Sequence, residues 1–273
     1  MTDLVVIMSI YVNDNLRFVK ESIESILNQT FSQFHLYLIY DGPVKSDVED
    51  YISGLEDNRI KLTKLTQNLG LATVLNILLK EILENPDYKF IARMDADDIS
   101  ISDRFEKQRS FLLKNPDIAC VGSWFSEIDE YGKHLSARKL PLNNEDLRNY
   151  YFKRAPFPHP SVMFRPELIQ KAGFYPIDTI LLEDSVLWGN ALSKGLKLAN
   201  IPEFLLKFRM DNNFFRRRTG IKYGWSFIVN RFRMNKKLKA PFQIYFYSFL
   251  NGIFRMMPPY LFKFLYKIIR NNS

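Results

Sequence analysis

Residues 88–98 read Tyr88-Lys89-Phe90-Ile91-Ala92-Arg93-Met94-Asp95-Ala96-Asp97-Asp98. An apolar run ends abruptly in three carboxylates. The run predicts a buried strand, and acids crowded at its end are costly unless a positive charge lies among them. A divalent cation is the simplest such partner, and hard cations such as Mg²⁺ or Mn²⁺ take oxygen ligands. A cation held by one or two carboxylates, with positions left open, is a usual way to grip a diphosphate. The other reading is that Asp98 caps the following helix, while Asp95 and Asp97 are solvated loop charges. Asp-x-Asp alone does not choose between the two.

Outward from this stretch, similar apolar runs recur at residues 4–10, 34–40 and 60–65, with 89–94 as the fourth. Helical patterns lie between them. Residues 15–29 carry Phe18, Ile23, Ile26 and Leu27 at helical spacing. Residues 70–83 place Leu71, Val74, Leu75, Leu78, Leu79 and Ile82 on one side. Such alternation predicts an α/β fold, with a parallel sheet covered by helices on both faces. Ligands of these sheets bind at the carboxyl ends of strands. Asp41, in the turn Asp41-Gly42-Pro43, and Asp95 to Asp98 both fall at such ends. They are expected to line one crevice. From residue 118 the pattern changes. Residues 118–125 and 133–140 predict a hairpin, and Phe157-Pro158-His159-Pro160 a rigid loop before a strand-like 161–165. Glu183-Asp184 opens a helix that runs to about Lys194, where Gly195 stops it.

With 273 residues, 47% of them hydrophobic, the chain can bury a sizeable core. The single cysteine, Cys120, lies in an apolar run and reads as a buried thiol in a reducing compartment. No basic segment precedes the first strand, so no signal peptide is expected. The net charge of +8 is uneven: 13 Lys and Arg follow Asp211 without one Asp or Glu, leaving 25 basic against 30 acidic residues up to that point. An acidic body with a basic tail predicts a polyanionic partner. No RNA-stacking motif is present, so an anionic membrane surface is favoured over nucleic acid. Residues 240–254 lack charge but fall short of the ~20 apolar residues a spanning helix needs. Phe262, Leu265, Tyr266 and Ile269 share one helical face, and Lys263, Lys267 and Arg270 another. That pattern suits an amphipathic helix in a membrane interface. The alternative is a tail packed on the domain, or on a second copy of the chain in a homo-oligomer.

The order of motifs is more specific than any one of them. Ile7-Met8-Ser9-Ile10-Tyr11 is followed by Glu21-Ser22 through Gln29-Thr30, then by Tyr40-Asp41-Gly42. Asn68-Leu69-Gly70-Leu71-Ala72 with Asn76 comes next, then Ala92 to Asp98 and Asp103-Arg104-Phe105-Glu106-Lys107-Gln108. Late in the chain stand His159-Pro160-Ser161-Val162-Met163-Phe164, Gly173-Phe174 and Glu183-Asp184-Ser185-Val186-Leu187-Trp188. Over about residues 4–235 this series resembles the family 2 glycosyltransferases of GT-A fold, and among them the bacterial exopolysaccharide enzymes of the amylovoran-biosynthesis type. The resemblance implies a Rossmann-like, mainly parallel sheet in a GT-A domain over residues 1–211, with a nucleotide-binding half (1–117) and an acceptor-binding half (118–211). A basic helical tail follows (212–273). It further implies inverting transfer of a sugar from a nucleotide-diphosphate donor, usually UDP-linked, to a saccharide acceptor. A lipid-linked acceptor in polysaccharide biosynthesis fits, as do Mn²⁺ or Mg²⁺ and a cytoplasmic, peripheral place on the inner membrane face.

Carried onto this chain, the resemblance gives Ser9, Tyr11, Asp41, Asn68, Gly70, Arg93 and Asp95 to the nucleotide-sugar. Glycine at position 70 would allow close backbone approach. Asp97 becomes the metal ligand with Asp95, and Asp98 a structural neighbour. Asp184 becomes the base, with Glu183 tuning or positioning it. Adjacent carboxylates raise a pKa and a helix N-terminus lowers it; the sequence does not rank the two. His159, Trp188 and Arg209 fall to the acceptor or the diphosphate, with the run Arg216 to Arg218 as an alternative diphosphate contact. Two departures stand out. Leu75 and Leu78 occupy positions where relatives often carry Arg, and Asp211 stands where many supply a metal-binding His. Two other functions remain in view. A sugar nucleotidyltransferase would need a glycine-rich, basic loop after the first strand, which residues 9–17 lack. A non-catalytic membrane-surface protein on such a domain would not need Asp95, Asp97 and Asp184.

Overall fold

The computed structural model describes residues 2–210 and 214–262. Four parallel strands form the first half of one sheet: β1 (Leu4–Ile10), β2 (Phe34–Tyr40), β3 (Ile60–Lys64) and β4 (Phe90–Asp95). Their spatial order is β3-β2-β1-β4. The chain therefore moves outward from β1 to β3, then crosses back to lay β4 on the other side of β1. That reversal is a topological switch point, where doubly wound sheets bind ligands.

Side chains alternate faces along a strand. Leu4, Val6 and Met8 of β1 pack with Val19, Ile23 and Ile26 of α1 (Leu16–Leu27) and with Val48 and Ile52 of α2 (Ser46–Ser53). Val5 and Ile7 face the opposite way, toward Val74, Leu75, Leu78 and Leu79 of α3 (Leu71–Glu84). Both faces of the central strands are thus covered, as their unbroken apolar runs predict. Leu75 and Leu78 belong to this core, so α3 turns those positions inward.

The sheet continues through the second half. After the two-residue β5 (Ile99–Ser100) and α4 (Arg104–Lys114), β6 (Ile118–Ile128) forms a hairpin with β7 (His134–Arg138). Two short helices, α5 (Asn144–Tyr151) and α6 (Pro166–Ala172), flank a 3₁₀ turn at His159–Ser161 and the short β8 (Met163–Phe164). β8 lies antiparallel between β4 and β6 and joins the two halves. Next come α7 (Glu183–Ser193) and β9 (Lys197–Arg209), which pairs in parallel with β6 and antiparallel with β5.

The long strand β9 and helices α2, α4, α5 and α6 were not evident as elements in the sequence. β9 has a physical reason for this. It contains Pro202, and its register against β6 jumps between Ile201 and Phe204. A proline is tolerated inside a sheet at such an irregularity, but it breaks the sequence pattern of a strand.

The chain ends in α8 (Phe214–Arg217), α9 (Ile221–Lys237) and α10 (Phe242–Arg255). α9 packs onto the domain: Tyr223 and Phe227 cluster with Leu182, and Arg148 Nη2 donates to the Leu238 carbonyl at 3.0 Å. Packing on the domain, one of the two readings of the tail, is therefore what α9 does. The predicted helical face from Phe262 to Arg270 lies, beyond Phe262 itself, outside the described residues, as does Asp211. Among the described residues, no helix is long and apolar enough to cross a membrane. Cys120 is free and buried, as expected from its apolar run.

Candidate active site

The carboxylates sit at the carboxyl end of β4, beside the switch point. Ser9 of β1 is the register partner of Asp95, so these two residues border the crevice from adjacent strands. Asp95, Asp97 and Asp98 can each aim an oxygen so that the three lie within 4.8 Å of one another.

Asp98 does not cap the next helix; Asp103 occupies that position. Instead Asp98 is buried, and its Oδ1 accepts the Arg209 backbone N–H at 2.7 Å. Its Oδ2 is buried with no hydrogen-bond partner among the described residues. Burial, then the charges of Asp97 and Asp95, push its pKa well above the usual carboxylate range. An all-oxygen donor set, crowded with negative charge and holding one orphaned carboxylate oxygen, fits a hard divalent cation. Asp95, Asp97 and Asp98 would hold it, so the fit draws in Asp98 beyond the expected pair.

The loop is braced by residues whose motifs gave no hint of this. Ser22 Oγ of α1 donates to the Asp95 carbonyl at 2.7 Å. Arg209 Nε donates to the Asp97 carbonyl at 2.7 Å, and its Nη1 reaches the carbonyls of Asp129 and Glu130 at 3.2 and 3.3 Å. Its Nη2 pairs with Glu21. Arg209 is 3% exposed, and every guanidinium nitrogen is taken. Its expected contact with acceptor or diphosphate is therefore corrected: Arg209 clamps the acidic loop. Arg104 and Gln108 play a similar part below. Arg104 Nη2 donates to the Arg93 carbonyl at 2.8 Å and Gln108 Nε2 to the Ser161 carbonyl at 2.7 Å. Together they tie β4 to the 3₁₀ turn.

Asp41 is only 4% exposed. Its carboxylate accepts the backbone N–H groups of Leu69 at 2.6 Å and Gly70 at 3.0 Å, at the start of α3. The motifs Asp41-Gly42 and Asn68-Leu69-Gly70 are thus two halves of one contact. Gly42 is fixed by sterics. Its φ is +81°, and a Cβ there would lie 2.7 Å from the Asn68 nitrogen. Gly70 has φ +85° with no protein atom within 4 Å of a Cβ. What requires glycine there is backbone conformation; close approach within the protein does not enter. Asn68 is exposed beside this turn.

Tyr11 and Asp14 form the loop after β1. Tyr11 N donates to Asp14 Oδ2 at 2.9 Å. Burial raises the Asp14 pKa to about 7, with Asp97 and Asp95 adding to the rise. Asp14 was not singled out in the sequence, because nothing in Val12-Asn13-Asp14-Asn15 shows that this loop folds over the acidic cluster. The Tyr11 hydroxyl feels Asp97 and Arg217, which brings the start of the basic segment to the same rim.

Across the crevice stands α7, opened by Glu183-Asp184. Burial is the first cause of raised pKa values at both. Glu183 rises to about 7, with Asp184 adding to the shift and Arg218 opposing it. Asp184 is also raised, against the Ser185 N–H (2.6 Å), Arg218 and Arg93, while Asp95 pushes it further up. Burial therefore outweighs the helix N-terminus, which the sequence alone could not decide. Asp184 feels both Asp95 and Arg93, so the helix end and the end of β4 face each other.

A raised carboxyl pKa carries a stability cost with a definite sign. Native Glu183 keeps its proton between the ordinary Glu range and pH 7, where the unfolded chain has lost it. Stability therefore falls as pH rises through that window, and the loss is complete above about 7. Glu183→Gln is expected to stabilise the metal-free protein at pH 8 by up to roughly 3 kcal/mol and to change little at pH 5. Urea unfolding at the two pH values checks this; an equal effect at both would contradict it.

Between the two ends lies a buried polar core. Arg93 is 1% exposed and pairs with Asp95, yet its Nε and Nη1 have no hydrogen-bond partner among the described residues. His159 Nε2 and the Tyr175 hydroxyl are 2.8 Å apart. Asn76 of α3 pins the Tyr175 backbone from both sides, at 2.8 and 2.9 Å. Burial and the Arg93 charge hold the His159 pKa well below the usual histidine value, so this imidazole is neutral at pH 7. Trp188 is fully buried, with ring centroids 5.3 Å from Phe157 and 6.3 Å from His159. It cannot touch an acceptor, so that expectation is corrected too: Trp188 packs α7 behind the His159 loop.

The profile of the family described as "Glycosyl transferase family 2" matches residues 5–173. The amylovoran biosynthesis glycosyltransferase AmsE of Erwinia amylovora is 31% identical over 96% of this chain and 97% of its own length. The UDP-Gal:alpha-D-GlcNAc-diphosphoundecaprenol beta-1,3-galactosyltransferase of Escherichia coli is 31% identical over 96% of this chain and 94% of its own. Among solved structures, the mannosyltransferase PcManGT of Pyrobaculum calidifontis, in complex with GDP-Man and Mn²⁺, superposes with a TM-score of 0.62. It is 17% identical over 92% of this chain and 68% of its own.

Proposed function

Since the chain belongs to glycosyl transferase family 2 and is a glycosyltransferase of GT-A fold, we propose that it moves a sugar from a UDP-sugar to a lipid-linked saccharide, with inversion at the anomeric carbon. The observation that carries this reading is the opposition of two acidic stations across the switch-point crevice: Asp95, Asp97 and Asp98 on one side, Asp184 on the other. A relative's name specifies a UDP-Gal donor and a diphosphoundecaprenol-linked acceptor, and that pairing supports the proposed substrates. A neighbour's bound Mn²⁺ supports Mn²⁺ or Mg²⁺ here.

In this reading Ser9, Tyr11 and the Asp41 turn border the nucleoside, and Asp41 also shapes the turn by holding the start of α3. Asn68 and Gly70 form its opposite wall. Asp97, Asp95 and Asp98 would hold a divalent cation, which would supply Lewis acidity toward the donor's diphosphate. Arg93 is as enclosed as Trp188, so its expected contact with the nucleotide-sugar is set aside: paired with Asp95, it supplies positive charge behind the acidic cluster. Arg217 and Arg218 add positive charge at the rim. Asp184, its pKa raised toward the useful range, takes the proton of the acceptor hydroxyl as that oxygen attacks the anomeric carbon. Neutral His159, fixed through Tyr175 by Asn76, presents a polar but uncharged edge beside Arg93. The enzyme works from the cytoplasmic side of the membrane, where it meets both substrates.

Calorimetry with a panel of nucleotide-sugars, with and without Mn²⁺, tests the proposal. Binding of a UDP-sugar that strengthens on adding Mn²⁺ is expected. Metal-independent binding, or preference for a nucleoside triphosphate with sugar phosphate, would favour a nucleotidyltransferase.

A further inference from the structure

Helix α10 is built inside out. Its buried positions are Ser248 and Gly252, its two smallest residues. Its exposed positions, Phe242, Phe246, Phe249, Leu250 and Ile253, recur at helical spacing and make one outward apolar stripe between 41% and 83% exposed. A soluble helix places such a stripe toward the core. The inversion is fixed by packing against α9. A Cβ on Gly252 would lie 2.1 Å from Ile228 Cγ1, and one on Gly224 would lie 2.6 Å from the Gly252 carbonyl oxygen. The two backbones therefore approach where no side chain fits, and Asn235 Nδ2 donates to Ser248 Oγ at 3.0 Å in the buried seam. With its small and polar side held inward, α10 has no way to turn its aromatics in.

α9 exposes apolar side chains of its own. Ile221, Trp225 and Val229 are 74%, 60% and 40% exposed, and Lys222, Arg233 and Lys236 are exposed among and beyond them. No acidic residue occurs anywhere after Asp211. Apart from Asp178, which pairs with Arg233 at 3.4 Å, the charges named beside the aromatic stripe are cations, and such a face fits a surface that is apolar within and anionic at its rim. Two copies of the same basic face would repel. We propose that the α9–α10 hairpin is a membrane-docking surface that lies in the headgroup region of an anionic bilayer, with the α10 stripe in the acyl boundary.

The hairpin is also coupled to the catalytic helix. Leu182, just before Glu183, packs on Tyr223 and Phe227, and a Cβ on Gly189 of α7 would lie 2.7 Å from Met234 Sδ. Gly220 N donates to the Arg255 carbonyl at 2.8 Å, closing the hairpin directly after Arg218. Docking would thus hold the Asp184 side of the crevice at a fixed attitude to the lipid surface. Only this orienting role rests on the proposed lipid-linked acceptor; the docking surface itself does not.

The test uses the full chain and vesicles of phosphatidylcholine with or without phosphatidylglycerol. Wild-type protein should float with the anionic vesicles at about 10 mM salt and much less at about 1 M, as screening shortens from ~30 to ~3 Å. Trp225 fluorescence should shift to the blue on binding. The double change Phe246→Ser, Phe249→Ser should weaken flotation by roughly tenfold or more. Lys222→Glu with Lys236→Glu should weaken it and flatten its salt dependence. All four positions are on the surface and none is among the residues assigned to the crevice, so metal-dependent donor binding should be unchanged in both variants. That donor binding is the separate measure of the transferase reading, and either measurement can fail while the other holds. Absence of flotation at low salt, or equal binding to both vesicle types, would overturn the proposal. So would a wild-type dimer that ignores vesicles and is dispersed by the serine variant, since a second copy would then be the occupant.

Discussion

Replacing Asp184 with Asn is expected to cut sugar transfer by about 10²–10⁴-fold while leaving donor affinity within a small factor. The side chain keeps its size and its contact with the Ser185 N–H; only its ability to take a proton goes. The pH profile gives an independent check. Because burial raises the Asp184 pKa, wild-type turnover should fall on the acid side at a pH above the ordinary carboxylate range, and that limb should vanish from the residual activity of the variant. Glu183 is raised as well, to about 7, so the pair is expected to give a broadened acid limb. Glu183→Gln should sharpen the limb without abolishing turnover. If Asp184→Asn retains most of its activity, Asp184 is not the base, and the helix end it occupies is structural.

The second large effect is expected at Asp97. Asp97→Asn should weaken Mn²⁺ binding by more than the roughly 10–100-fold that follows loss of an outer carboxylate. Donor binding should lose its metal dependence with it. The readouts are calorimetric titration with Mn²⁺ alone and the shift of the unfolding temperature on adding Mn²⁺, neither of which needs turnover. Wild-type binding should also release protons, because Asp98 is held well above its usual pKa by burial and by its acidic neighbours. Proton uptake, or no dependence of affinity on pH, would argue that the cluster does not take a cation. Asp98→Asn separates the roles within the triad. If Asp98 is only a brace for the Arg209 N–H, the amide oxygen replaces it and metal affinity is unchanged. If its orphaned Oδ2 faces the ion, affinity falls.

Much of the fold was legible because its first half follows a simple rule. Strands buried on both faces must be apolar throughout, and helices that cover them must carry an apolar stripe. Residues 4–10, 34–40, 60–65 and 89–94, with the helical patterns between them, obey that rule and were read close to their observed bounds. β9 was not read, because Pro202 and the register jump interrupt its pattern. Helices α4 and α5 have polar sequences with few apolar positions, so their periodicity is faint.

For the site, the sequence by itself determined which chemistry-bearing residues exist and that acids end a buried strand. It also determined the family, through the order of the motifs. Only the tertiary structure decided what each residue faces. Arg209 and Trp188 carry functional-looking side chains yet are fully enclosed, one clamping the acidic loop and the other packing α7. Asp14, an ordinary loop residue by sequence, proves to be folded over the acidic cluster with a pKa near 7. The reason is that burial and long-range charge belong to contacts between segments far apart in the chain, such as the 111-residue span from Asp98 to Arg209. Local sequence holds no record of such contacts. The outermost case is α10: the sequence showed an uncharged run over residues 240–254, and only the close Gly224–Gly252 crossing decides which side of it points outward.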